Sequence, residues 1–146
     1  MRIQDKVFAA VCAWKENREA GIPGLTSVIN VLQNRANRDR TDIYSEAVKR
    51  LQFSSLTAPG DPELVLWAAD GDAQWQQALV LAKRAGNGAL DDITGGAMDY
   101  YAPKGQTWTK RYTLPDGTVI PFPDSWDESK VVYTVTIGGQ YFFREI

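Results

Sequence analysis

The sequence predicts an α+β protein of a single domain, residues 1–146, mainly α-helical with a small antiparallel β-rich C-terminal part. Three observations predict it. Apolar residues recur at helical spacing as far as residue 85, tight turns rich in aromatics take over from residue 89, and β-branched and aromatic runs flank Gly138-Gly139 near the end. No repeat and no linker interrupts the chain.

The elements follow in order. A first helix is expected over 5–17, with Asp5 placed as N-cap and Val7, Phe8, Val11 and Trp14 as its apolar faces. At about 100° per residue, Glu16 stands within about 40° of Ala9, Cys12 and Ala13, a line of small residues that another segment can approach closely. Pro23 and Gly24 open a second helix over 24–37, whose Leu25, Val28, Ile29 and Leu32 keep the i, i+3, i+4, i+7 rule. Asp42 caps a third helix through Leu51, with Ile43, Ala47, Val48 and Leu51 inward and Glu46–Arg50 as a surface pair. A loop over 51–63 ends in Asp61-Pro62, which starts a short helix at 62–69. The next helix, 72–85, closes on Lys83 and Arg84 with Gly86 as C-cap. Beyond it, Pro115-Asp116-Gly117 turns between short strands, and Gly138-Gly139 is a two-residue hairpin signal.

Composition excludes whole classes of function. A hydrophobic fraction of 44% and a charged fraction of 23% suit a folded chain. The net charge of −2 provides no basic footprint for nucleic acid or anionic lipid, and no apolar run approaches the roughly 20 residues of a membrane span. Asp5 and Lys6 interrupt the N-terminal apolar stretch, so the chain is expected to be made in the cytoplasm without a cleaved export signal. There is no histidine, and Cys12 is the single cysteine, which rules out Ser-His-Asp and Cys-His catalysis, Cys/His zinc sites and an internal disulfide. Neither a metal nor a cofactor is expected. By composition, hydrolytic chemistry then falls to carboxylates, tyrosines, lysines or an oxygen-ligated metal.

Carboxylates alone suffice for glycosidic bonds, where one acid protonates the departing oxygen as an oxocarbenium-like centre develops. Such an acid must hold its proton near neutral pH, which takes an apolar, partly buried setting. Glu16, on the last turn of an otherwise apolar helix, is the candidate; the alternative is an ordinary solvated glutamate.

Five segments bear on that choice: "EN-R" at 16–18, "VLQNRA" at 31–36, "QFSS" at 52–55, "TGGAMDYYA" at 94–102 and "IGGQYFFR" at 137–144. In this order they resemble the SleB/CwlJ-type cell-wall hydrolases, a family found in spore-forming bacteria and in bacteriophages, over about residues 8–144. The resemblance implies a lysozyme-like fold and cleavage of peptidoglycan glycan strands between N-acetylmuramic acid and N-acetylglucosamine. It also implies a lytic transglycosylase mechanism in which a single glutamate, here Glu16, acts as acid and then as base. The chain would act as a monomer on the cell wall, after release from the cell or as a component of a virion. Two departures stand out: Glu19 and Ala20 replace the glycine and second glutamate of the family's "EARGE" segment, and Gln140 replaces its closing histidine. A muramidase with a second carboxylate, and a phage-particle component that binds peptidoglycan with weak catalysis, are the competing readings.

The remaining candidates concern substrate binding. Gln52, Phe53 and Ser54 lie on a loop where a side-chain amide could bind an N-acetyl group; the alternative is a turn that packs Phe53 inward. Thr94, Gly95 and Gly96 form a tight turn that either lets backbone approach sugar or is purely structural. Of Tyr100 and Tyr101, on alternating faces, one is expected in the cleft and the other in the core. Trp108 and Trp126 are expected in the core rather than on sugar rings, and Asp91 and Asp92 in capping and turns rather than in catalysis.

Overall fold

The computed structural model describes residues 1–52 and 68–146, apart from the side chains of Leu51 and Gln52. The side chain of Gln52, together with Phe53, Ser54, Asp61-Pro62 and nearly all of the helix expected at 62–69, lies outside the described residues.

Helix α1 (Ile3–Asn17) is the centre of the helical part and packs on α2 (Gly21–Asp39), α3 (Ile43–Gln52) and α4 (Ala73–Gly86). Its sequence explains why three helices can surround it. Ala9, Ala10, Cys12 and Ala13 are completely buried, and such short side chains let neighbouring backbones come close. The larger Val7, Phe8 and Val11 lie at the margins. Asp5 is not the N-cap: Arg2 takes that position, and Asp5, three residues on, reaches back to the Arg2 N–H at 2.9 Å. Its other oxygen accepts the Tyr44 N–H at 2.8 Å, so one buried carboxylate joins the starts of α1 and α3.

α2 begins three residues before the expected start, with Gly21 at φ +67° and Pro23 inside the first turn, where its missing N–H costs nothing. Leu25, Val28, Ile29 and Leu32 form its buried face, as the periodicity predicts. α3 is capped by Asp42, which accepts the Ser45 N–H at 2.7 Å. The expected Glu46–Arg50 surface pair is absent. Glu46 is 1% exposed and turns inward to Arg35 (3.5 Å), Lys49 (3.2 Å) and Thr41 (2.9 Å), while Arg50 turns towards α1. Tertiary partners inside a low-dielectric environment outweigh an i,i+4 pair worth about 0.2–0.5 kcal/mol on a solvated helix. α4 starts at Asp72, whose carboxylate accepts from the Trp75 N–H (2.8 Å) and the Trp14 indole (3.2 Å). Gly86 remains helical; Gly88, at φ +69°, takes the left-handed position that ends the helix.

Strands β1 (Asp99–Tyr101), β4 (Val131–Ile137) and β5 (Gln140–Glu145) form an antiparallel sheet in the order β1-β5-β4, and β2 (Arg111–Thr113) pairs with β3 (Val119–Pro121) as a separate hairpin. The α+β class is as the sequence predicts. β5 is central and covered on both faces. Alternation sends Phe142 into the helical core and Phe143 into a second cluster with Tyr101, Ile120 and Phe122, all buried. β1 follows the same alternation, with Tyr100 beside Phe142 and Tyr101 stacked on Phe143. Neither tyrosine is therefore open to a cleft: Tyr100 is 5% exposed and Tyr101 8%. Trp108 and Trp126 both meet the Tyr101 ring edge-on at 5.3 Å and belong to this second cluster, as expected. Among the described residues no helix is long and apolar enough to cross a membrane.

Candidate active site

α1 ends at Asn17, a short 3-10 turn follows over Arg18–Ala20, and α2 leaves in a new direction. The reversal is tight because Gly24 leaves room for it: a Cβ there would come within 2.5 Å of the Asn17 carbonyl oxygen and the Ala20 Cβ. The β4–β5 turn closes on the same spot. Gly138 stands at φ +60°, and a Cβ on it would lie 2.3 Å from that of Ala20. Residues 15–20 and Gly138 together line a groove of about 410 Å³.

Glu16 lies in this groove with its side chain 10% exposed. Arg50 Nε donates to Oε1 at 2.9 Å and to Oε2 at 3.3 Å, and the Cys12 thiol beneath also donates to the carboxylate. Burial pushes the Glu16 carboxyl above the ordinary glutamate range, and the Arg50 charge and both hydrogen bonds only partly offset it. The same burial, with the Glu16 charge beside it, drives the Cys12 thiol upward, so Cys12 is inert packing rather than a nucleophile. Arg18, two residues after Glu16, folds back to place its guanidinium 4.2 Å over the Trp14 ring and to donate to the Trp14 carbonyl at 3.0 Å.

Gln140 contributes from β5: its Nε2 donates to the backbone carbonyl of Glu16 at 3.4 Å. That contact ties the catalytic candidate to the central strand. Glu19 is a second carboxylate on the groove, exposed and three residues beyond Glu16. The sequence signal for it is that spacing alone.

The other candidates fall elsewhere. Thr94 is completely buried and committed internally: its N–H and hydroxyl donate to Asp92 at 2.8 and 2.6 Å, and its oxygen accepts the Ala97 N–H. It is not available to a sugar. Asp92 also accepts from Gly96 N–H and Asn34, both at 3.0 Å, and Asn30 bonds to the Asp91 carbonyl and the Ile93 N–H. Asp91 and Asp92 thus organise a loop against α2, which is turn duty. Gly96, at φ +83°, has open space where a Cβ would stand, yet neither it nor Tyr101 lines the Glu16 groove. Tyr100 does touch the site, through Arg50, whose guanidinium lies 4.2 Å over its ring. Among the described residues no group of three or more acidic or cysteine side chains could hold a metal ion.

Comparison of the chain with protein-family models, with curated proteins and with solved structures finds no match in any of the three.

Proposed function

We propose that this chain cleaves peptidoglycan glycan strands in the manner of a SleB/CwlJ-type lytic transglycosylase, with Glu16 as its single acid–base residue and its helical part as a lysozyme-like scaffold. The observation that carries the reading is a nearly buried carboxyl, held above its ordinary pKa by burial, at the edge of a groove of about 410 Å³. The order of the five sequence segments supports it independently. In the reaction, the Glu16 carboxyl gives its proton to the glycosidic oxygen as the bond from C1 of N-acetylmuramic acid breaks. The resulting carboxylate then takes the proton of that sugar's 6-hydroxyl while its oxygen closes on C1. No water is consumed, and the product carries a 1,6-anhydro end. Gln140, bonded to the Glu16 carbonyl, supports the helix end rather than entering the chemistry.

A muramidase is the second reading, favoured by Glu19 on the same groove, because a second carboxylate could direct water to the cation. The test is Glu16→Gln against purified sacculi. The variant is expected to fold as wild type and to lose turbidity clearance; undiminished clearance refutes the assignment. Mass spectrometry of the wild-type products separates the two mechanisms: anhydro ends mean transglycosylase, and reducing ends mean muramidase.

A further inference from the structure

We infer that Arg50 is the positioning residue of the Glu16 carboxylate, clamped for that task between the carboxylate and the face of Tyr100; the role rests on the acid–base reading of Glu16 above. Arg50 Nε spans both carboxylate oxygens, at 2.9 and 3.3 Å, which fixes the plane of the group. The guanidinium is itself fixed by the Tyr100 ring at 4.2 Å. Tyr100 stacks at 5.1 Å and 24° on Phe142, a completely buried residue of the central strand. A rigid sequence of contacts thus runs from the core through Tyr100 and Arg50 to the reacting group.

The Tyr100 hydroxyl is buried and has no hydrogen-bond partner among the described residues. Leaving a buried polar group unmet costs about 1–3 kcal/mol, so the ring face, not the hydroxyl, is what this position contributes at the site. Among the described residues the groups around Glu16 are the Cys12 thiol from α1, Arg50 from α3, Gln140 from β5 on its backbone, and Lys15, Arg18 and Glu19 along the groove. Of the described cations, Arg50 is bonded to the carboxylate itself. A residue that gives a proton and then takes one back must pass through its charged form between the two steps. Arg50, which is not among the residues lining the groove, holds a cation on the carboxylate and so stabilises that form.

Sacculus clearance measured across pH, together with carbon NMR titration of the Glu16 carboxyl (assigned from Glu16→Gln), tests this. In Arg50→Met the titration midpoint is expected to rise by about 1–3 pH units, clearance to fall at least about tenfold, and its alkaline limb to move up with the midpoint. Arg50→Lys should restore most of the midpoint but not the rate, because an ammonium cannot lie flat between ring and carboxylate. Tyr100→Leu, which removes the ring face that holds the guanidinium, should reproduce part of the Arg50→Met defect. If Arg50→Met does not fold, Arg50→Lys and Tyr100→Leu carry the same comparison. A Glu16→Gln variant that still clears sacculi overturns the acid–base reading, and this role with it. An inactive Glu16→Gln alongside an unmoved midpoint or an unmoved alkaline limb in the Arg50 variants overturns the role of Arg50 alone.

Discussion

Replacing Gly138 by alanine tests the contact that closes the groove. Two separate effects add at this position. The residue sits at φ +60°, where an L side chain costs about 1–2 kcal/mol. The new Cβ would also lie 2.3 Å from the Ala20 Cβ and 3.3 Å from Asn17 Oδ1, an overlap that only movement of the turn can relieve. Overpacking of this kind costs about 1–3 kcal/mol, for a total of about 2–5 kcal/mol. Gly139 is a built-in control, since it stands at φ +76° with nothing within 4 Å of a Cβ and bears the backbone cost alone. With a urea slope of about 2 kcal/mol per molar, the midpoint should fall by about 1–2.5 M in Gly138→Ala and by about 0.5–1 M in Gly139→Ala. Ala20→Gly removes the nearest atom in the overlap. Combined with Gly138→Ala it should recover the overlap contribution but not the backbone one, a positive coupling in a double-mutant cycle. Equal midpoints for the two glycine variants, or no coupling to Ala20→Gly, would refute the claim that the hairpin turn presses on the end of α1.

Two carboxylates give pH-dependent predictions of opposite sign. Burial opposes ionisation of Asp92, yet the hydrogen bonds from Thr94, Asn34 and Gly96 prevail and hold it below the usual carboxylate range. Its stabilisation is therefore present above pH ~4 and is lost as pH falls through the depressed value; Asp92→Ala should cost about 1–2 kcal/mol at pH 7, and by thermal melting that cost should shrink progressively as pH falls below ~4. Asp99 is pushed up to about 6 by burial and then by its neighbour Glu145, against the pull of Arg35 and Arg38. Its protonated form suits the fold, so stability falls as pH rises from ~4 through that value. Asp99→Asn should raise Tm at pH 8 and lose that advantage at pH 4; an advantage that persists at pH 4 counts against the sign.

What could be read from the sequence had a local cause. The buried face of α2 follows from 3.6-residue spacing of large apolar side chains, and the β4–β5 turn from a glycine pair that can take positive φ twice. The core face of α1 was harder to see, because alanine and cysteine carry little apolar signal and the larger Val7, Phe8 and Val11 suggest a different face. Tyr100 and Tyr101 alternate as expected, but that both are buried depends on the sheet being covered on its two sides, which no local pattern encodes. At the site, Glu16 was legible and Arg50 was not. The i,i+4 rule offered Glu46 as its partner, and only the packing of α3 on α1 brings Arg50 to Glu16 instead. The contact between Gly138 and Ala20 spans most of the chain, and no local pattern marks it.

A carboxylate on the last turn of a helix is disfavoured twice. The helix C-terminus carries about half a negative charge, and at Glu16 the groove removes most of the water that would screen it. A solvated surface glutamate would avoid the second of these, and a core position would not keep the group at a groove. What makes the arrangement tolerable is geometric. Small residues on α1 let α3 come near enough for Arg50 to reach the carboxylate, and the central strand provides the ring on which Arg50 rests. Burial favours the proton, Arg50 and Cys12 favour its loss, and burial prevails. The role proposed for Glu16 asks for both: a proton kept until the bond breaks, and a cation at hand for the charged form that follows.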